Sequence, residues 1–319
     1  MDVSKNPVIL SIENLSIYYG KFNAVMGCNF FIREREIFGF LGPNGAGKSS
    51  VIKAISRQIP YQGKIYFWAT EISDLPREHL NSSIGVVPQD PCFFKDFTVI
   101  ENLRLAAKFH GVIDIEGAVG ATMSQFMLSK FADRPAKNLS GGYRRLLSIA
   151  MSTIHNPKIL IMDEPTVGLD PDMRADVWEL IKELRDSGMT IMLTTHYLDE
   201  AEALCDRIVI LDNGKVRACA PPSTLIDQYG GNTIIVVITD KDASKLSSAI
   251  SRIPNVLNSD INGRAIRLEC QNRNAVQIIR DLSLILGAPP HNIKPLESLV
   301  REPTLADAFK NIVKKEMEL

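Results

Sequence analysis

The chain has 319 residues, of which 45% are hydrophobic and 23% charged, with a formal net charge of −1 at pH 7. That length corresponds to about two domains and allows a full hydrophobic core without disulfide or metal staples. A charge balance near zero argues against nonspecific nucleic-acid binding, which needs a basic field.

Leader and membrane segments are not expected. Residues 1–10 lack the charged-then-apolar pattern of a secretory signal. The longest aliphatic runs, such as 234–238, are far shorter than the about 20 residues of a membrane helix. The five cysteines are scattered and form no CxxC pair, so we expect a reduced, cytosolic chain that does not span a bilayer.

The first part of the chain, residues 7–228, alternates strand-like and helix-like segments, which predicts a layered α/β domain. Within it, residues 98–155 have a mostly helical pattern and are predicted to form a helical subdomain inserted in the sheet. The clearest predicted strands are the short apolar runs 37–41, 84–87, 159–162, 190–194 and 208–211.

The last part of the chain has a different pattern. Pro221-Pro222 and Gly230-Gly231 indicate a linker, which predicts domains 1–229 and 230–319. The order β-α-β-β-α-β after it predicts a small α+β domain of ferredoxin-like type. Its predicted segments are strand 233–239, a helix near 246–253, strands from Val256 and at 266–270, a helix over 275–286, strand 291–297 and a helix capped by Thr304 and Asp307.

The segment after predicted strand 37–41 fits the phosphate-loop pattern GxxxxGK[ST] and opens a predicted helix. Glycines let the backbone curl so that several N–H groups point into one cavity, and the helix N-terminus adds partial positive charge. Lys48 is expected to reach the β- and γ-phosphates, and Ser49 is expected to ligate Mg²⁺. The predicted nucleotide-binding residues here are Gly42, Pro43, Asn44, Gly45, Ala46, Gly47, Lys48, Ser49 and Ser50.

A second motif is the apolar strand 158–164, which ends in two carboxylates, Asp163 and Glu164. A carboxylate at a buried strand end is costly unless a cation lies near it. Because a phosphate loop lies upstream, we expect Asp163 to bind Mg²⁺. Glu164 is then placed to polarise the attacking water as a general base.

Leu139, Ser140, Gly141 and Gly142 form an LSGG segment shortly before the acidic strand. The order of these motifs resembles the ATP-binding cassette (ABC) ATPases, and the resemblance extends over residues 8–228. It implies a P-loop NTPase fold of ABC type, ATP and Mg²⁺ as cofactors, and an enzyme that hydrolyses ATP.

The resemblance implies further roles by position. Tyr19 matches the aromatic residue that stacks on adenine, with Tyr18 as the alternative. Gln89 matches the Q-loop glutamine that touches Mg²⁺ and the attacking water, and His196 matches the switch histidine that contacts the γ-phosphate. Asp170 resembles the D-loop aspartate at a dimer interface. The implied catalytic residues are Lys48, Gln89, Glu164 and His196, and the implied Mg²⁺ ligands are Ser49, Gln89 and Asp163.

The LSGG segment also implies a partner. A helix N-terminus with bare glycine amides is an anion site, and in the resembled family it binds the γ-phosphate held by the opposite subunit. Two chains, in a homodimer, therefore meet head to tail around two ATP molecules, and hydrolysis releases them.

Segments 93–99, 194–202 and 302–309 are similar to the branch that powers exporters of drugs, polysaccharides or lipids. Tyr143 and Val167 replace the common Gln and Ser and resemble variants of the same branch. This similarity implies a separate transmembrane permease, a peripheral location on the inner face of the membrane and a dimerising or regulatory C-terminal domain. The cargo depends on the permease, so the sequence does not define it.

Two other classes stay open. A non-transport ABC ATPase acts on ribosomes or DNA ends, but this chain has one phosphate loop, one LSGG segment and no long heptad stretch. A regulatory subunit binds ATP without coupling it to transport. Intact Glu164 and His196 weigh against that alternative.

Overall fold

The structure is a computed structural model that describes residues 5–271 and 275–314. The chain forms two compact units, Met1–Pro222 and Ser223–Leu319. They divide between Pro222 and Ser223, and the predicted domain boundary after residue 229 stays a prediction.

Two β-sheets and their connecting helices form the described part of the first unit. The strands are β1 (Val8–Tyr19), β2 (Phe22–Arg33), β3 (Ile37–Leu41), β4 (Gln62–Phe67), β5 (Thr70–Glu71), β6 (Ile84–Val87), β7 (Ile159–Asp163), β8 (Thr190–Thr195), β9 (Arg207–Asp212) and β10 (Lys215–Ala220). The helices are α1 (Lys48–Ile55), α2 (Arg77–Ser83), α3 (Val99–Phe109), α4 (Ile115–Gln125), α5 (Gly141–Thr153), α6 (Pro171–Asp186) and α7 (Leu198–Leu204).

The larger sheet has the strand order β10-β9-β3-β8-β7-β6. All neighbours are parallel except β10, which pairs antiparallel with β9. Every residue of β3 and β8 is buried, as expected for parallel strands covered on both faces. The five predicted strands are confirmed, with end shifts of at most one residue.

The smaller sheet, β2-β1-β4-β5, is antiparallel and was not predicted from the sequence. Its buried side chains join the core of the larger sheet: Phe30 of β2 packs on Phe38 and Phe40 of β3, with centroids 5.7 and 4.9 Å away. At the other end of the hairpin, Tyr19 Oη lies 3.3 Å from Ser50 Oγ of α1.

The prediction that residues 98–155 are mostly helical is confirmed by α3, α4 and α5. Thr98 caps α3 in a reciprocal capping box with Glu101, and Asp114 caps α4. These helices lie in the chain between β6 and β7, which are direct neighbours in the sheet.

The second unit contains helix α8 (Pro222–Tyr229), which begins at the boundary, and a four-stranded antiparallel sheet of order β12-β13-β11-β14. One face of the sheet packs on its helices around buried Ile235, Leu268 and Leu282. The strands are β11 (Thr233–Thr239), β12 (Val256–Asn262), β13 (Ala265–Cys270) and β14 (Pro295–Arg301), and the helices are α9 (Ser247–Ile250), α10 (Ala275–Gly287) and α11 (Leu305–Lys314).

Two predictions in this unit were wrong in their bounds. The last strand is Pro295–Arg301 instead of 291–297. Each of its residues is exposed, so buried and exposed side chains do not alternate along it, and the sequence pattern does not define where the strand begins and ends. The helix predicted near 246–253 is a short 3-10 turn followed by α9. The cap of the last helix is confirmed, since the Thr304 amide donates to Asp307 at 3.0 Å.

Two histidines outside the sequence motifs, His110 and His155, stack face to face with centroids 3.7 Å apart. They follow α3 and α5, so the pair joins the ends of these helices. Burial lowers the pKa of both rings, and the neighbouring His110 adds to the effect on His155, whose pKa falls to about 4. Both rings are therefore neutral at pH 7.

We expect the first unit to lose stability as the pH falls from about 6.5 towards 4, because the unfolded chain then binds a proton that folded His155 rejects. His155→Leu should flatten this slope. Urea midpoints at pH 7 and pH 5, followed by fluorescence of Trp68 and Trp178, report on this unit. Exposed His79→Gln is the control, and equal slopes in wild type and His155→Leu would contradict the assignment.

Candidate functional site

The candidate site lies at the carboxyl edge of the larger sheet. The phosphate loop follows β3, Asp163 ends β7, and His196 follows β8. Register pairs Leu41 with Thr195 and Asp163 with Thr194, so the three strand ends stand side by side. Open α/β sheets bind ligands at this edge.

Lys48 is the first residue of α1, and its side chain is turned into the loop. Its Nζ donates to the carbonyls of Gly42 and Pro43 at 2.7 and 3.1 Å. Burial lowers the pKa of Lys48, and the nearby Glu164 and Asp163 oppose that shift. The Lys48 ammonium therefore lies at the loop, where the oxygens of a bound phosphate chain could take the place of the two carbonyls as its hydrogen-bond partners.

The loop conformation requires glycine at two positions. Gly45 and Gly47 have φ values of 81° and 107°, in the left-handed region. A β-carbon on Gly47 would lie 2.5 Å from the Ala24 carbonyl oxygen. The loop backbone is therefore packed directly against β2, which brings Ala24 to the cavity described below.

Ser49, Asp163 and Thr194 form one hydrogen-bonded group. Ser49 Oγ donates to Asp163 Oδ2 at 2.8 Å, and Thr194 Oγ1 donates to Asp163 Oδ1 at 2.5 Å. The structure therefore brings two of the expected Mg²⁺ ligands, Ser49 and Asp163, into direct contact. Thr194, buried near the end of β8, was not predicted as a site residue. A hydroxyl at the end of an apolar strand could have indicated it.

Glu164 is buried, and both of its carboxylate oxygens have a partner. Gln89 Nε2 donates to Oε2 at 3.0 Å, and His196 Nδ1 lies 3.0 Å from Oε1. The backbone of Glu164 has a φ of 48°, and its amide donates to both oxygens of Thr194. The structure therefore brings three of the predicted catalytic side chains into direct contact.

Gln89 and Glu164 border a cavity of about 410 Å³, a size typical of small-molecule sites, whereas His196 is not on its wall. Tyr19 is on its wall and Tyr18 is not, and the missed Phe22 faces Tyr19 across the β1–β2 hairpin. Both aromatic rings are exposed, so the cavity has one apolar wall at its open side. The lining residues are Tyr19, Phe22, Ala24, Asn44, Gly45, Gly47, Lys48, Ser49, Ser50, Gln89 and Glu164.

If Tyr19 stacks on the base, Tyr19→Ala should weaken ATP binding by about 1 kcal/mol or more, which is at least roughly fivefold in Kd. Tyr19→Phe keeps the ring but loses the 3.3 Å contact with Ser50 Oγ, so it should bind nearly as wild type. Isothermal titration with ATP and with inorganic tripolyphosphate separates base from phosphate contacts. Tyr18→Ala is the matched control, and an equal loss with tripolyphosphate would argue against stacking.

The LSGG residues and Asp170 lie outside this cavity. Ser140 caps α5, where it accepts from the Tyr143 amide, and Asp170 caps α6, where Oδ1 accepts from the Met173 amide at 2.9 Å. Ser140, Gly141 and Asp170 are exposed. Leu139 is buried, and Gly142 lies against Met173, where a β-carbon would come within 2.5 Å of its Cε.

A magnesium ion fits the donor set. Among the described residues there is no group of three or more His, Cys, Asp and Glu side chains able to hold a metal ion alone. Ser49 and Gln89 line the phosphate cavity and Asp163 is bonded to Ser49, so hydroxyl, amide and carboxylate oxygens converge there. Such hard oxygen ligands, completed by phosphate oxygens, are what Mg²⁺ prefers.

No helix within residues 5–271 and 275–314 is both long and apolar enough to cross a membrane.

Comparisons with known proteins agree with this site. Residues 25–167 match the ABC transporter family. The chain is 33% identical to the linearmycin resistance ATP-binding protein of Bacillus subtilis over 95% of this chain and 98% of that protein. It is 35% identical to the Nod factor export ATP-binding protein I of Ralstonia nicotianae over 97% of this chain and 95% of that protein.

Solved structures give the same result. An ATP-binding subunit of an ABC transporter superposes with a TM-score of 0.63 at 30% identity, covering 70% of this chain and 93% of that one. A subunit of the cbiONQ ABC transporter complex of Clostridium perfringens superposes with a TM-score of 0.65 at 29% identity, covering 69% and 91%. The chain therefore belongs to the ABC transporter family and carries its ATP-binding ATPase domain.

Proposed function

We propose that this chain hydrolyses ATP to power export of a substrate through a separate membrane permease. The observation that supports it best is the convergence of the phosphate loop, Asp163 and the Gln89–Glu164–His196 contacts at one sheet edge. A site that only bound nucleotide would not need a buried carboxylate held by two side chains beside the phosphate cavity.

In the proposed reaction, water attacks the γ-phosphorus of ATP and the bond to the bridging oxygen of ADP breaks. Glu164 accepts the proton of the attacking water, while Gln89 and His196 fix the carboxylate. Lys48 moves from the loop carbonyls to the phosphates, where its charge is stabilising. Ser49, Asp163 and Gln89 would hold Mg²⁺, which would neutralise further phosphate charge when bound.

We further propose a head-to-tail homodimer. The exposed Ser140 and Gly141 at the N-terminus of α5 lie outside the cavity of their own subunit. A second copy would bring them to the open side of that cavity, where the amides at the helix N-terminus bind the γ-phosphate. Each site is then completed by the partner subunit, and ATP holds the two copies together.

Export as the direction of transport rests on the relatives. Two proteins that match over nearly the whole chain are named for linearmycin resistance and Nod factor export. We assign α3 and α4, with the Gln89 loop, to an inserted subdomain that contacts the permease. That contact would hold the chain at the inner face of the cell membrane.

The second unit supports the proposed ferredoxin-like domain. Its sheet order, β12-β13-β11-β14, has all neighbours antiparallel, and its elements follow the predicted sequence of strands and helices. We propose that this domain dimerises the chain or regulates it.

The test is a pull-down of tagged Glu164→Gln protein from gently solubilised native membranes in ATP and Mg²⁺. We expect a multi-span membrane protein to co-purify, and its identity would narrow the cargo. The same experiment without nucleotide is the control. Recovery of ribosomes, nucleic acid or other soluble partners alone, with the chain absent from the membrane fraction, would contradict the transport function. It would indicate a non-transport ABC ATPase instead.

A further inference from the structure

Arg145 lies on α5, five residues after Ser140, and its side chain is buried, with 3% of the residue exposed. Its neighbour Arg144 is exposed. Neither the phosphate chemistry nor the motifs used above gave Arg145 a role. A buried guanidinium is costly unless its donors are satisfied.

The guanidinium of Arg145 donates five hydrogen bonds, all to backbone carbonyls. Nη1 donates to Pro88 and Gln89 at 2.6 and 3.0 Å. Nη2 donates to Asp163 and Glu164 at 2.9 and 2.7 Å. Nε donates to Pro165 at 2.6 Å.

These five bonds use all five N–H donors of the side chain. No ion pair to Arg145 is present among residues 5–271 and 275–314. Burial lowers the pKa of Arg145 to about 10, so the group keeps its charge at neutral pH. Five carbonyl oxygens turned towards one point would repel each other without a cation between them.

The two bound segments carry the groups that meet at the site. One contains Gln89 and the other contains Glu164, and their side chains are joined at 3.0 Å. The second segment also holds Glu164 at a φ of 48°, a conformation that costs a non-glycine residue about 1 kcal/mol or more and persists only where the surroundings enforce it. The Arg145 bonds to Asp163, Glu164 and Pro165 surround that residue.

We propose that Arg145 is a positioning residue for ATP hydrolysis, which fixes the Gln89 and Glu164 segments to each other and to the helix that starts at the LSGG motif. The proposal rests on the proposed function, in which Glu164 accepts the proton of the attacking water. Arg145 itself touches neither nucleotide nor water. The planar guanidinium is essential because its five N–H groups point to both segments. A lysine has three N–H groups on a single nitrogen, which cannot bind the Gln89 and Glu164 segments at once.

The first test is Arg145→Lys, which keeps charge and approximate volume but loses the fork. We expect kcat to fall about 10- to 100-fold, the range that misplacement of a reacting group produces. The Kd for ATP should stay within about twofold, because Lys48 and the loop glycines are untouched. Arg207→Lys is the control: it alters a partly buried arginine away from the site, paired with Glu36 at 3.1 Å, and should lower stability without changing kcat.

The second test does not depend on hydrolysis. Amide hydrogen exchange of the nucleotide-free protein should rise in segments 86–91 and 163–167 of Arg145→Lys, and stay unchanged in β3. A wild type without ATPase activity would contradict the proposed function, and exchange would still decide whether Arg145 holds the two segments. Unchanged exchange and kcat in Arg145→Lys, or an equal loss of ATP binding, would overturn the positioning role.

Discussion

Glu164→Gln should reduce ATP turnover about 100- to 10,000-fold, the contribution of a positioned general base. Glutamine has the same shape and keeps partners for Gln89 and His196, but its amide cannot accept the proton of the attacking water. ATP should still bind, since the phosphate loop is unchanged. Steady-state phosphate release measures turnover, and gel filtration in ATP and Mg²⁺ should show a dimer that the wild type forms only transiently.

The matched control is Glu183→Gln, an exposed glutamate on α6. It makes the same chemical change away from the sheet edge and should leave kcat unchanged. Turnover of Glu164→Gln within about threefold of wild type would show that another group accepts the proton.

Lys48→Ala should weaken ATP binding strongly. Lys48 is the one lysine among the described residues that line the cavity. Its loss removes charge-assisted bonds to phosphate worth about 3 kcal/mol, or roughly 100-fold in Kd. The folded protein loses two bonds to loop carbonyls, so a thermal melt without nucleotide must accompany the binding isotherm. At ATP concentrations near the wild-type Kd, we expect almost no stabilisation by ATP in that melt.

Lys53→Ala on the same helix is the control, since Lys53 is exposed and lies outside the cavity. It should bind ATP as the wild type does. A Lys48→Ala protein that kept wild-type affinity would place the phosphates elsewhere than in this loop.

The parallel strands and the phosphate loop were predictable because each depends on local sequence. Fully buried strands such as β3 and β8 are continuous apolar runs bounded by turn signals. The loop glycines are dictated by backbone conformation, which a short motif encodes directly. Asp163 and Glu164 were found for the same reason, as carboxylates directly after an apolar run.

The antiparallel sheet was not predictable in this way. Register shifts interrupt β1 between Ile12 and Leu15 and again on either side of Ile17, so its buried side chains do not alternate along the sequence. Arg145 was missed for another reason: its partners are carbonyls 18 to 57 residues away, and no side-chain pattern signals a backbone acceptor.

The position of α3, α4 and α5 between two paired strands has a consequence for how such proteins diverge. Doubling the length of a connection costs only about 0.6 kcal/mol of closure entropy, and β6 and β7 pair directly although more than 70 residues of chain lie between them. Substitutions and insertions in α3 and α4 therefore need not alter the strand ends that carry the catalytic residues. New partners can be acquired in these helices by insertion and substitution, while the chemistry at the strand ends is inherited intact.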